Sequence, residues 1–82
     1  MESNRVRITS GPESREELES IRDTRRKCIF VTDKGEFEAT ITGLSSGMGG
    51  AIGGLLIKML HEGKEYEGHY NYVHRKGELQ PA

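Results

Sequence analysis

Between Glu36 and Thr42 the chain alternates without a fault: Phe37, Ala39 and Ile41 fall on one side, Glu36, Glu38, Thr40 and Thr42 on the other. A period of two belongs to a half-buried strand, whose successive side chains point to opposite faces. Just upstream, Cys28-Ile29-Phe30-Val31-Thr32 is a β-branched and aromatic run that reads as a strand buried on both faces. Asp33-Lys34-Gly35 lies between them as a turn, with Gly35 free to take positive φ. A hairpin is therefore expected here. A second alternating run spans Glu65 to His74, with Tyr66, Gly68, Tyr70 and Tyr72 on one face and Glu65, Glu67, His69 and Asn71 on the other. Antiparallel β-structure is the frame into which everything else has to fit.

The segment from Gly43 to Gly54 interrupts that frame with six of the eleven glycines. Beyond it, Leu55 to Leu60 admits two readings. One is a mostly apolar central strand. The other is a helix with Ala51/Ile52, Leu55/Leu56 and Met59/Leu60 recurring every four residues and Gly63 as its cap. Glycines in the first half of such a helix cost about 1 kcal/mol each relative to alanine, which favours the strand.

At the front, Arg5-Val6-Arg7-Ile8-Thr9 reads as a short strand. Ser10 and Glu13 stand at capping-box spacing around Pro12, which suits a first helical turn. Acidic residues (Glu13, Glu16, Glu17, Glu19) precede basic ones (Arg22, Arg25, Arg26, Lys27), as the helix dipole prefers. The apolar face is only Leu18 and Ile21, so the helix is expected to lie lightly on the sheet. At the far end Arg75-Lys76-Gly77 turns the chain into Glu78-Leu79-Gln80, a short edge strand before Pro81.

The expected fold is mainly β: an N-terminal helix followed by a small antiparallel sheet, or an SH3/Sm-like barrel, of four to five strands. The hairpin 27–43 and the late Val73-His74-Arg75-Lys76-Gly77 resemble the two halves of an Sm-type barrel, which also begins with a helix. The resemblance covers about half the chain and implies a fold, not an activity. One domain spans 1–82: a strand and helix over 5–26, then a β core over 27–80 holding the glycine-rich segment 43–54.

Composition narrows the function classes. A formal net charge of −1 supplies no global attraction to nucleic acid or to an acidic membrane. The nearly apolar stretch Met48 to Leu60 is interrupted by Lys58 and falls short of the ~18 residues of a spanning helix. Cys28 stands alone, so no internal disulfide forms, and an N-terminus without an apolar core argues against secretion. A soluble, cytoplasmic protein without membrane association is expected.

No catalytic pattern withstands inspection. Gly43-Leu44-Ser45-Ser46-Gly47 matches G-x-S-x-G, but that nucleophile elbow sits on a parallel sheet far larger than this chain can build. Leu55-Leu56 follow Gly54 where a phosphate loop needs Lys and Ser/Thr, and Ile52 stands where a dinucleotide fingerprint needs glycine or alanine. His61, His69, His74 and Cys28 show no chelating spacing, so no metal or other cofactor is expected.

Three candidate binding features remain. Gly47, Gly49 and Gly50 could offer backbone amides to a small anion or nucleotide. Tyr66, Tyr70 and Tyr72 share a face that is either the inner, core-forming one or a stacking platform. Arg25, Arg26 and Lys27 end the helix as a basic cluster, set against the interspersed acids of a solvated surface. The leading expectation is a non-enzymatic binding or regulatory module acting through protein contact or self-association. A small RNA or single-stranded DNA binder using the tyrosines and the basic ends is the first alternative. An anionic-ligand binder using the glycine loop is the second.

Overall fold

In the computed structural model, which describes residues 5–46 and 52–82, the expected hairpin forms first in the logic of the fold. β2 (Cys28–Thr32) pairs antiparallel with the first half of β3 (Gly35–Ser46), from Cys28 opposite Ala39 to Thr32 opposite Gly35. Gly35 adopts φ +100. The Thr32 hydroxyl donates to the Gly35 carbonyl at 2.7 Å and accepts from the Lys34 amide at 3.1 Å, locking the turn with its own side chain.

The remaining elements are β1 (Val6–Ser10), α1 (Arg15–Thr24), β4 (Gly54–His61), β5 (Lys64–Asn71) and β6 (Lys76–Pro81). Each strand pairs antiparallel with the next, and β6 returns to β1 through Val6 opposite Leu79 and Ile8 opposite Gly77. The result is a closed barrel of six strands, one more than the upper bound set by the sequence. The C-terminal strand is accordingly no edge strand, since β5 and β1 hold it on both sides. Closure is how a small sheet disposes of its unpaired N–H and C=O groups.

Inside lie Val6, Ile8, Phe30, Phe37, Ala39, Ile41, Leu55, Ile57, Met59, Tyr70 and Leu79. Leu55 to Leu60 is strand, and it alternates: Leu55, Ile57 and Met59 are buried while Leu56 and Lys58 are exposed. β3 runs further than expected, through Gly43 to Ser46, after a register shift at Thr42 that bends it between its β2 and β4 partners. The glycine-rich interruption is thus shorter than the sequence suggested. Glu65 to His74 is strand only to Asn71, and Tyr72 already belongs to the following turn.

Two inward-facing glycines permit the coiling of β5 against β6. A methyl at Gly68 would overlap the Glu78 carbonyl, and one at Gly77 would overlap the carbonyl of His69. At one end of the barrel the Asn71 side chain donates to the Ile52 carbonyl at 2.9 Å and accepts from the amides of Val73 and His74. That single amide ties the entry of β4 to the turn between β5 and β6.

Helix α1 covers the barrel near Phe30 and Tyr70. Its cap is Ser14, whose hydroxyl accepts from the Glu17 amide at 3.1 Å, not Ser10 as the spacing suggested. Ser14-x-x-Glu17 has the same capping-box form, and Pro12 lies outside the helix with its carbonyl in use as an acceptor for Tyr70. Leu18 and Ile21, the thin apolar face, are both buried among core residues, so the helix seals the barrel instead of resting lightly on it.

Candidate interaction edge

The tyrosines separate. Tyr70 is fully buried, edge-on to Phe30 at 5.5 Å, and its hydroxyl donates to the Pro12 carbonyl at 2.6 Å. Desolvation is the main reason its phenol is raised well above the usual tyrosine range, and the Cys28 thiol adds to the shift. Tyr66 stands four residues away along β5, toward the other end of the barrel, against Phe37 at 5.2 Å. Phe37 in turn stacks with His61 at 3.9 Å, whose Nδ1 donates to the Glu38 carbonyl at 2.7 Å. Tyr72 is half-buried in a turn, its amide donating to the Gly53 carbonyl at 3.1 Å. All three therefore contribute to core packing, Tyr70 within it and Tyr66 and Tyr72 against it.

The basic cluster is spent largely on the helix it ends. Arg25 takes the left-handed cap conformation at φ 53 and its amide donates to Arg22. The Arg26 guanidinium donates to Thr24 Oγ1 at 2.9 Å and to Ser20 Oγ at 3.2 Å. Lys27 is exposed where the chain enters β2. Gly47, Gly49 and Gly50 lie outside the described residues. Ser45 of the apparent nucleophile elbow sits in the strand, exposed and paired opposite Leu56. Among the described residues no three His, Cys, Asp or Glu side chains are grouped to hold a metal ion. The Cys28 thiol is pushed up to about 11 by burial first and the Glu17 carboxylate second, with Arg26 pulling the other way. A thiol so placed is a poor nucleophile.

A different feature emerges at β2. Cys28, Phe30 and Thr32 are buried, but Ile29 is 52% and Val31 45% exposed, so the strand is buried on one face only. The signal was present in the hairpin itself. Ile29 is paired opposite Glu38 and Val31 opposite Glu36, and cross-strand partners share a face. Since Glu36 and Glu38 point to solvent, Ile29 and Val31 have to do the same.

The β1–β2 seam is the weak closure of the barrel. β1 pairs with β2 at only two positions, Ile8 opposite Thr32 and Ser10 opposite Val31, whereas β4 and β5 pair from Gly54–Asn71 to His61–Lys64. Directly after Ser10, Gly11 packs closely against Tyr70 and Phe30. A side chain there would meet the Tyr70 hydroxyl at 2.7 Å and the Phe30 ring at 2.8 Å. Cys28, Ile29 and Phe30 have strand partners only on β3 among the described residues.

Which backbone groups this leaves open follows from strand parity. A two-residue turn closes on Thr32 and Gly35, a pair that exchanges both hydrogen bonds, so Cys28, Phe30 and Thr32 bond toward β3. Ile29 and Val31 point their N–H and C=O groups the other way. Consistent with this, the Val31 carbonyl accepts from the Thr9 hydroxyl of β1 at 3.1 Å. At Ile29 the same pair of groups faces a groove of about 680 Å³ lined by Gly11, Pro12 and Glu13 ahead of α1, by Glu17 and Ile21 of the helix, and by Arg26 and Lys27.

The site is thus a donor and an acceptor from Ile29, two outward β-branched side chains, and charges of both signs. Such an arrangement can hold an extended backbone by strand addition. Comparison of the chain with protein-family models, with curated proteins and with solved structures returned no match in any of the three.

Proposed function

We propose that the protein is a non-enzymatic binding module that works through protein–protein contact at the open edge of β2. The observation carrying this reading is the Ile29 backbone, which directs an N–H and a C=O into a groove where β1 provides no partner. An otherwise closed barrel leaves this short stretch ready to accept a strand. Exposed Ile29 and Val31 supply the apolar contact that backbone bonds alone lack. The chemistry of the site also favours binding over catalysis, because its one thiol is held protonated by burial. The lone Cys28 and the lack, among the described residues, of a helix apolar enough to cross a membrane are compatible with a cytoplasmic setting.

The test is site-specific photo-crosslinking in the producing cells, with a photoreactive residue at position 29 and a control at position 56 on a different strand. Protein adducts concentrated at position 29 are expected. Equal or absent adducts at the two positions would contradict the reading.

A further inference from the structure

We infer that the partner at β2 is a protein segment whose apolar side chains are flanked by Lys or Arg, docked on the outward face of the strand; the inference rests on the protein-contact reading above. Ile29 and Val31 stand two residues apart on that face, roughly 7 Å from each other. Both are half exposed, so neither β1 nor the helix covers them. An apolar strip with a charged border has the layout of an interface, and the border selects the partner.

Here the border is acidic. Cross-strand pairing sets Glu38 beside Ile29 and Glu36 beside Val31 on the same face, with Cβ atoms about 5 Å apart. Glu17 of helix α1 lines the groove that flanks Ile29 on its other side. None of these three carboxylates takes part in an ion pair among the described residues. Glu13, also in the groove, is already neutralised by Arg75 at 2.9 Å. The cations are placed less closely. Arg26 donates to Ser20 and Thr24 of the helix, and Lys27 and Lys34 lie beyond the two ends of the strip. Three unpaired carboxylates around two open apolar side chains complement a segment that is both basic and apolar. The same carboxylates repel nucleic acid and anionic lipid.

Photo-crosslinking from position 29 reads the partner's chemistry directly, because digestion and mass spectrometry of the adduct identify the attached segment. That segment should place Lys or Arg beside apolar residues. Synthesised as a peptide, it should bind the purified chain in titration calorimetry, and more weakly as salt rises. Glu36→Lys with Glu38→Lys should weaken binding on the order of tenfold. Glu65→Lys with Glu67→Lys makes the same change in net charge on β5 and should leave affinity within about twofold. Circular dichroism verifies that both variants are folded. An attached segment that is acidic or without Lys and Arg would overturn the inference. So would affinity indifferent to salt or to the reversal at 36 and 38, or equal weakening by the two pairs. In each of those cases the adducts at position 29 leave the protein-contact reading standing. If position 29 yields no more adduct than position 56, the reading falls and the inference with it.

Discussion

The Tyr70 phenol donates to the Pro12 carbonyl at 2.6 Å, joining residues 58 positions apart in the chain. This bond holds the β1–α1 connection against the barrel, where Gly11 packs on Tyr70 and Phe30. The connection it holds follows directly on Ser10, the last residue of β1 paired with β2.

Tyr70→Phe keeps the ring against Phe30 but leaves a buried Pro12 carbonyl without its donor. The expected loss is about 1–3 kcal/mol in urea unfolding. A loss below about 0.5 kcal/mol would mean that the carbonyl finds another donor.

Glycine substitutions should divide by position. Gly68→Ala and Gly77→Ala press a methyl into backbone of the neighbouring strand, and each should cost about 3 kcal/mol or prevent folding. Gly43→Ala meets only the Lys58 side chain, at 3.7 Å, and should stay within about 0.5 kcal/mol of the parent. Thermal melts of the three variants decide whether the coiling of β5 and β6 is the constraint that these glycines serve.

Much of the barrel was legible in the chain because period-two patterning is unambiguous wherever one face is wet. Phe37, Ala39 and Ile41 are inside as read, and the hairpin register follows from Gly35. The strand reading of Leu55 to Leu60 held over its helical rival. Local pattern did not carry closure, because closure depends on whether Val6 and Ile8 meet Leu79 and Gly77, pairs made by residues some seventy positions apart. Nor did it carry the outward setting of Ile29 and Val31. A β-branched run looks buried on both faces until its hairpin partners, Glu38 and Glu36, are laid beside it. Of the two readings of the tyrosine face, the core-forming one agrees with the packing of Tyr66, Tyr70 and Tyr72. Shared parity places Tyr66 and Tyr70 on one face but does not bring them to one height, and Tyr72 lies beyond the end of the strand.

Asn71→Ala should loosen one end of the barrel without emptying its core. The side-chain amide joins the Ile52 carbonyl to the amides of Val73 and His74, and its loss should cost about 1–3 kcal/mol. Backbone shifts of residues 52–54 and 72–75 should move, and those of β2 and β3 should not. Changes spread evenly over the barrel would contradict so local a role.

Alkaline pH should destabilise the fold. Cys28 goes from an unfolded value of 9.0 to about 11 when buried, so above pH 9.0 the unfolded chain loses its thiol proton first. Fewer protons on the unfolded state mean that stability falls as pH rises, from about 9 until the folded thiol titrates near 11. The Tyr70 phenol, raised in the same direction, adds to the loss. Cys28→Ala should make the fall between those two pH values shallower, leaving the part that Tyr70 contributes above about pH 10, and denaturation followed at fixed intervals across them measures it.

The central claim is that β2 is open at Ile29 and closed at its neighbours. Amide hydrogen exchange in dilute solution reads this residue by residue. The Ile29 amide should exchange far faster than the Phe30 amide beside it, whose bond runs to β3. Equal, strong protection of Ile29 and Phe30 in the dilute sample would show the seam to be closed and would contradict the account.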